Sequence, residues 1–236
     1  MKVLDLFSCI GCHAIGLERV GGFETVAFCE AKAWRRARLA ARFPGVPIHD
    51  DVCTLEGVSA DIVFGGPPCQ ETSVAAAIHG YRTGDSLWPE MLRVGLDAGA
   101  EWFVVEQPSG NPDWEADVSE GLARAGRHVA KLEFEARDIG APYERRRVFL
   151  ISCSSLSRLE IAWRAGPSAI ERVARAADAR GAWDPDILKA LPVDARSAGE
   201  FRSAMSAERV EWIEALGDSN PPGMAEVIGH MIREAA

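Results

Sequence analysis

Short β-rich apolar runs alternate with helical stretches over the first 153 residues, and no other property of the chain narrows its fold as far. Lys2–Phe7 is a strand pattern, followed by a turn at Gly11 and a helix over Ala14–Val20. Glu24–Glu30 is a second strand, and Ala31–Phe43 an amphipathic helix with a basic face, stopped by Pro44-Gly45. A weak strand at Pro47–Asp50 and a strong one at Asp61–Gly65 follow, the latter ended by Gly66-Pro67-Pro68. Ser86–Ala98 and Trp114–Ala125 read as helices on either side of a buried strand at Trp102–Glu106. Strands that alternate with helices predict a parallel sheet covered on both faces. Val129–Ala136 and Arg147–Cys153 lack a helix between them, so a loop joins them and one antiparallel edge strand is expected. The predicted class is α/β, a Rossmann-like doubly wound sheet.

The pattern changes after Cys153. Over residues 154–216 alanine and arginine dominate, and Gly-Pro, Asp-Pro and Leu-Pro steps predict short helices or loops. Three regions are expected: a main domain at 1–153, a small recognition region at 154–216, and a C-terminal helix within 217–236, roughly Met224–Glu234, opened by Pro221-Pro222-Gly223. At 47% hydrophobic and 26% charged, the composition excludes a disordered tail or a fibre. No apolar run is long enough for a membrane span, and Asp5 interrupts the N-terminal apolar stretch, so a cytoplasmic protein is expected. A net charge of −9 argues against binding polyanions with the whole surface. Residues 137–209, however, carry 13 Lys+Arg against 10 Asp+Glu, and 22 of the chain's 26 basic residues are arginine, the side chain suited to phosphate and base edges. An Arg-rich solvated surface would give the same count.

In an open α/β sheet ligands bind at the carboxyl ends of the strands, and the least ordinary local sequences fall there. The first strand leads into Asp5-Leu6-Phe7-Ser8-Cys9-Ile10-Gly11-Cys12, the second ends in Glu30, and Asp50-Asp51-Val52 follows the third. Two acids placed for ribose hydroxyls and an adenine amine suggest an adenosine-containing ligand, although each alone is more often a solvated loop residue. One dependable glycine is no G-x-G-x-x-G, so a cofactor without phosphates fits best. Cys9 and Cys12 form a C-x-x-C without a second pair, a poor pattern for structural zinc, and no metal is expected. Cys69 follows Gly66-Pro67-Pro68, and Glu106 ends the neighbouring strand. A thiol beside a carboxylate suits covalent catalysis with acid assistance, whereas a lone Cys is more often core filler. Arg145, Arg146 and Arg147 bring cations to the same edge.

In these segments, in this order, the chain resembles the DNA cytosine carbon-5 methyltransferases that use S-adenosylmethionine, over residues 3–153 and again 216–233. The resemblance implies that Asp5, Phe7, Ser8 and Gly11 form the first cofactor motif, Glu30 the ribose acid, and Asp51-Val52 the adenine contact. Pro67, Leu87, Asp218 and Ser219 would complete the cofactor site. Cys69 would be the nucleophile that adds to carbon 6 of cytosine, with Gln70 and Ser73 binding substrate. Glu106 would hold ring nitrogen 3, and Arg147, supported by Arg145, the carbonyl at position 2. Double-stranded DNA, with the target base flipped out, is the implied partner of a monomeric enzyme. Four departures stand out: Cys9 and Cys12 for glycines, Tyr143 for glutamine, Gln107-Pro108 for Asn-Val, and Asp218 for asparagine. An RNA methyltransferase of similar fold is the runner-up, but Glu71-Thr72-Ser73 does not match the Cys-Phe-Thr of its relatives. A catalytically silent binding protein is the rival from another class, and the presence of Cys69 and Glu106 counts against it.

Overall fold

The computed structural model describes residues 1–68, 86–179 and 207–236. Among these residues a seven-stranded sheet has the order β3-β2-β1-β4-β5-β7-β6. Its strands are β1 (Lys2–Leu6), β2 (Glu24–Cys29), β3 (Ile48–His49), β4 (Ile62–Gly65), β5 (Trp102–Pro108), β6 (His128–Glu135) and β7 (Arg146–Cys153). The first five are parallel, so their carboxyl ends lie along one edge. The order reverses between β1 and β4, the switch point at which such sheets open a crevice. The antiparallel pairing expected at this edge is present, with β7 lying between β5 and the edge strand β6 and pairing antiparallel with both.

Successive residues of a strand face opposite sides. Val3, Ile62, Phe64, Trp102 and Val104 therefore enter one core, and Leu4, Val63, Phe103 and Val105 the other. Continuous apolar strands such as WFVV are what a sheet buried on both faces requires. Helices α1 (Cys12–Val20), α5 (Leu156–Ala179) and α7 (Pro222–Glu234) contribute to the first core, with Leu17, Leu159, Val173, Val227, Ile228 and Met231 buried. On the second, α3 (Trp88–Asp97) and α4 (Pro112–Arg124) bury Trp88, Met91, Trp114, Val118 and Leu122. Helix α2 (Ala33–Arg42) caps Phe28 with Leu39, and α6 (Ala207–Asp218) leads into α7. No helix among the described residues is long and apolar enough to cross a membrane.

The structure differs from the sequence reading after β7. Gly166-Pro167 does not break the chain there, because α5 runs unbroken through Pro167. Proline removes one helical hydrogen bond and crowds the preceding turn. Buried residues on both sides of it, Leu159 and Ala162 before, Ala169, Val173 and Ala177 after, hold the two halves on the core. Burial of a large aliphatic side chain contributes about 1.5–3 kcal/mol, so several together offset the roughly 3 kcal/mol a proline costs. The first part of the segment 154–216 thus packs into the sheet's own core, and residues 180–206 lie outside the described ones.

Helices α1 and α7 cross at Gly16. A Cβ there would stand 2.2 Å from the Pro222 carbonyl oxygen and 2.9 Å from the Glu226 backbone nitrogen. Backbone cannot retreat as a flexible side chain can, so Gly16→Ala is expected to destabilise the fold by about 1–3 kcal/mol, as overpacking does. Denaturant unfolding of the variant beside the parent protein measures this, and equal midpoints would show that the crossing is loose.

Candidate active site

The turn after β1 is held in an uncommon conformation. Phe7 and Cys9 have φ of 55° and 51°, and Gly11, at 82°, ends the turn where α1 begins. Only glycine adopts that last conformation at little cost, and a Cβ on Gly11 would also meet the Phe43 ring at 2.5 Å. The strain at Phe7 and Cys9 is offset by buried hydrogen bonds. Ser8 Oγ donates to the Asp5 carbonyl at 2.6 Å, and the Cys9 amide donates to Glu30 Oε2 at 2.8 Å. Glu30 Oε1 accepts the Lys32 amide at 2.8 Å, so one buried carboxylate ties the turn after β1 to the end of β2. Asp51 caps the short 3-10 turn Val52–Thr54, its Oδ1 accepting from the Cys53 amide at 2.9 Å.

On the other side of the switch point, the register of β5 and β7 sets Glu106 opposite Phe149 and Pro108 opposite Arg147. Arg147 is therefore the diagonal neighbour of Glu106 on one face. Arg147 Nε lies 2.8 Å from Glu106 Oε1, and both side chains are largely buried. A Cβ on Gly66 would lie 2.5 Å from Glu106 Oε2, so glycine at this position makes room for the carboxylate. Arg145 points elsewhere. Its guanidinium donates to the Gly217 carbonyl at 2.7 Å and to Asn220 Oδ1 at 3.2 Å, and burial together with Arg147 lowers its pKa to about 10.

These groups share one cleft of about 720 Å³, within the size range of small-molecule sites. Phe7, Glu30, Asp51, Val52, Pro67, Leu87, Glu106, Arg147 and Asp218 all line it. A small recess shares Phe7, Glu106 and Asp218 with it and adds Ser8, His13, Ser219 and Asn220. Asp5 and Gly11 line neither, and shape the turn from beneath. Cys69, Gln70 and Ser73 lie outside the described residues.

Four residues here were not singled out by sequence reasoning for what they do. Gln107 donates through Nε2 to the Pro67 carbonyl at 2.5 Å and so ties the segment after β4 to the end of β5. Asn220 anchors Arg145. Arg35, buried on α2, reaches Asp218 Oδ2 at 2.5 Å. His13, stacked on Phe64 with ring centroids 4.2 Å apart, meets the wholly buried Asp5 at 3.3 Å. Their partners are distant in sequence or, for His13 at the start of α1, lie across the turn on β1, and no local pattern marks them. Cys9 and Cys12 are held as thiols, with burial pushing Cys12 up to about 11.

A family model, C-5 cytosine-specific DNA methylase, matches residues 1–171. The chain belongs to that family. S-adenosylmethionine is the family's methyl donor. Among curated relatives, the chain is 32% identical over 167 residues to the type II methyltransferase M2.BsuMI of Bacillus subtilis, a match covering 64% of this chain and 42% of the relative. With the type II methyltransferase M.AquIA of Picosynechococcus it shares 28% over 180 residues, 64% of this chain and 71% of the relative. The chain spans less than half the length of the first curated relatives it matches. In fold it resembles the Dnmt2 methyltransferase of S. pombe, with a TM-score of 0.55 at 16% identity over 65% of this chain and 50% of the other. The doubly wound sheet expected from the sequence is thus the fold of this methyltransferase family.

The site fits the family's cofactor. Phe7, Val52 and Leu87 give the cleft apolar walls of the kind a purine needs, and Glu30 and Asp51 bring carboxylate oxygens to it. Asn220 Nδ2 is buried beside the recess with no hydrogen-bond partner among the described residues, a polar atom that a bound α-amino carboxylate would satisfy.

Burial alone would lower the His13 pKa, but Asp5, with help from Glu106, outweighs it and the pKa is raised. A raised pKa stabilises the fold fully below the unfolded value of about 6.5, and that stabilisation is lost as pH rises through the folded value. Compared with a His13→Gln variant, the parent protein is expected to show its largest stability advantage below about pH 6, shrinking toward alkaline pH. Denaturant titrations across this range test it, and an advantage that grows with pH would reverse the assignment.

Proposed function

We propose that the chain transfers a methyl group to carbon 5 of a cytosine turned out of double-stranded DNA, acting as a monomer in the cytoplasm. The observation that carries this reading is the Glu106–Arg147 pair opening on the same cleft as Glu30 and Asp51. A carboxyl for a base and acceptors for an adenosine thus stand within one small-molecule site.

Cys69 is the nucleophile in this reading. Its thiolate adds to carbon 6, forming a sulfur–carbon bond and pushing electron density toward carbon 5. Glu106 holds a proton at ring nitrogen 3, which makes that addition easier. Arg147 orients Glu106 through Oε1 and leaves Oε2 for the base, while its own guanidinium is at hand for the carbonyl at position 2. Gln107, by holding the Pro67 carbonyl, steadies the segment that delivers Cys69. Glu30 and Asp51-Val52 hold the cofactor's ribose and adenine, with Pro67, Leu87, Asp218 and Ser219 completing the site. When bound, S-adenosylmethionine supplies the electrophilic methyl group. Loss of the carbon-5 proton and elimination then free Cys69. Gln70 and Ser73 bind the substrate, and residues beyond α5, up to 216, form the recognition surface.

Expression in a host without cytosine-5 methylation, followed by sequencing of modified bases, tests the reading. Modified cytosine is expected in DNA from the parent protein and none from Cys69→Ser, because a neutral hydroxyl does not add to carbon 6 as a thiolate does. Turnover by Cys69→Ser within tenfold of the parent would remove the covalent mechanism, and modification in RNA alone would move the substrate class.

The cofactor assignments have their own measurement. Glu30→Ala and Asp51→Ala are each expected to weaken S-adenosylmethionine binding by about 1–3 kcal/mol in calorimetry, through lost charge-assisted hydrogen bonds. Unchanged affinity in both would place the ribose and adenine elsewhere.

A further inference from the structure

Helix α6 lies against α2 through a ladder of opposite charges. Lys32 pairs with Glu214 at 3.3 Å, Arg35 with Asp218 at 2.5 Å and Arg38 with Glu208 at 3.4 Å. Trp34 meets Trp212 edge-on at 5.0 Å between centroids, with the Arg38 guanidinium 4.7 Å from the Trp34 ring. The outer two pairs are half-exposed and, being screened by water, contribute little. The middle one differs on its cationic side, although Asp218 itself is 58% exposed. The Arg35 side chain is only 6% exposed, it lines the cleft, and its Nε has no hydrogen-bond partner among the described residues. Its ion-pair partner is Asp218, the residue that stands where the resembled motif carries asparagine.

An asparagine would offer a buried guanidinium a dipole, whereas aspartate offers a full charge. A buried cation deprived of its counter-charge is strongly disfavoured, so Arg35 and Asp218 form a matched pair. What the pair holds is the segment 217–220. Gly217 and Asp218 line the cleft, Ser219 and Asn220 line the recess, and Arg145 grips Gly217 and Asn220 from the β7 side. On the α2 side the corresponding grip is Arg35, aided by the Cys9 thiol, which donates to the Ala215 carbonyl at 3.3 Å.

We propose that Arg35 is a positioning residue of the cofactor site: by binding Asp218 it fastens the segment 217–220 across the cleft, and cofactor affinity depends on that fastening. This rests on reading the cleft as the S-adenosylmethionine site. It also gives Asp218 a reason to depart from the motif.

Arg35→Met, which keeps the side-chain stem and removes the charge, is compared with Asp218→Asn and with the double variant. Calorimetry with S-adenosylmethionine is expected to show affinity falling about tenfold in Arg35→Met, and the double variant binding no worse than Arg35→Met, because the two substitutions break one bond. Hydrogen exchange without cofactor is expected to be about tenfold faster for the amides of 207–220 in Arg35→Met and unchanged in β1, β4 and β5, which reports the fold intact. Affinity within twofold of the parent, additive losses in the double variant, or unchanged exchange at 207–220 would each overturn the proposal. If the parent protein binds no S-adenosylmethionine, the proposed function fails, and the exchange arm alone then decides whether Arg35 fastens the segment.

Discussion

Everything at the site depends on the close crossing of α1 and α7. The cleft and its recess have one wall from Phe7, Ser8, Cys9 and Cys12 and another from 217–220, more than 200 residues away in the chain. Gly16 lets the two helices approach until the Pro222 carbonyl fills the space a side chain would take. From that contact Asp218 falls within reach of Arg35, and Asn220 within reach of Arg145. The parallel strands supply the acids, but it is helix packing that folds the C-terminal segment back over them.

The electrostatics of the cleft follow from what each buried charge is paired with. Glu30 is satisfied by backbone amides and Glu106 pairs with Arg147, whereas His13 meets only Asp5 Oδ1 and Asp218 only one Nη of Arg35, leaving Asp5 Oδ2 and Arg35 Nε without a hydrogen-bond partner among the described residues. Each pairing also fixes a backbone segment: the turn after β1, the end of β4 beside Gly66, and the approach to α7.

Much of this was legible in the sequence, because the legible parts are local. Strands with apolar residues on both faces, such as Asp61–Gly65 and Trp102–Glu106, announce a doubly covered parallel sheet, and ligand-binding residues then collect at strand ends. Glu30, Asp51, Glu106 and Arg147 were found by that rule and by the order of motifs, and all four line one cleft. Residues whose meaning comes from a distant partner were not legible for what they do. Arg35 reads as one more arginine on a basic helix until Asp218 arrives from the far end of the chain, and Gln107 until Pro67 is beside it. Pro167 misled for a related reason. Its local cost is real, but packing on both sides of it outweighs that cost, and nothing in the flanking residues records the comparison.

The distance between the two walls has a consequence for the order in which the molecule can become competent. A ribosome delivers β1, the turn and Glu30 long before the pieces that complete the cleft, which come only after residue 216. Contacts so far apart in sequence close last, since the loop between them must first be ordered. The nascent sheet therefore has its acids in place while the crevice is still open on one side. The crevice closes only when α7 packs, and a chain cut short before α7 would lose both that wall and the core contacts of Val227, Ile228 and Met231.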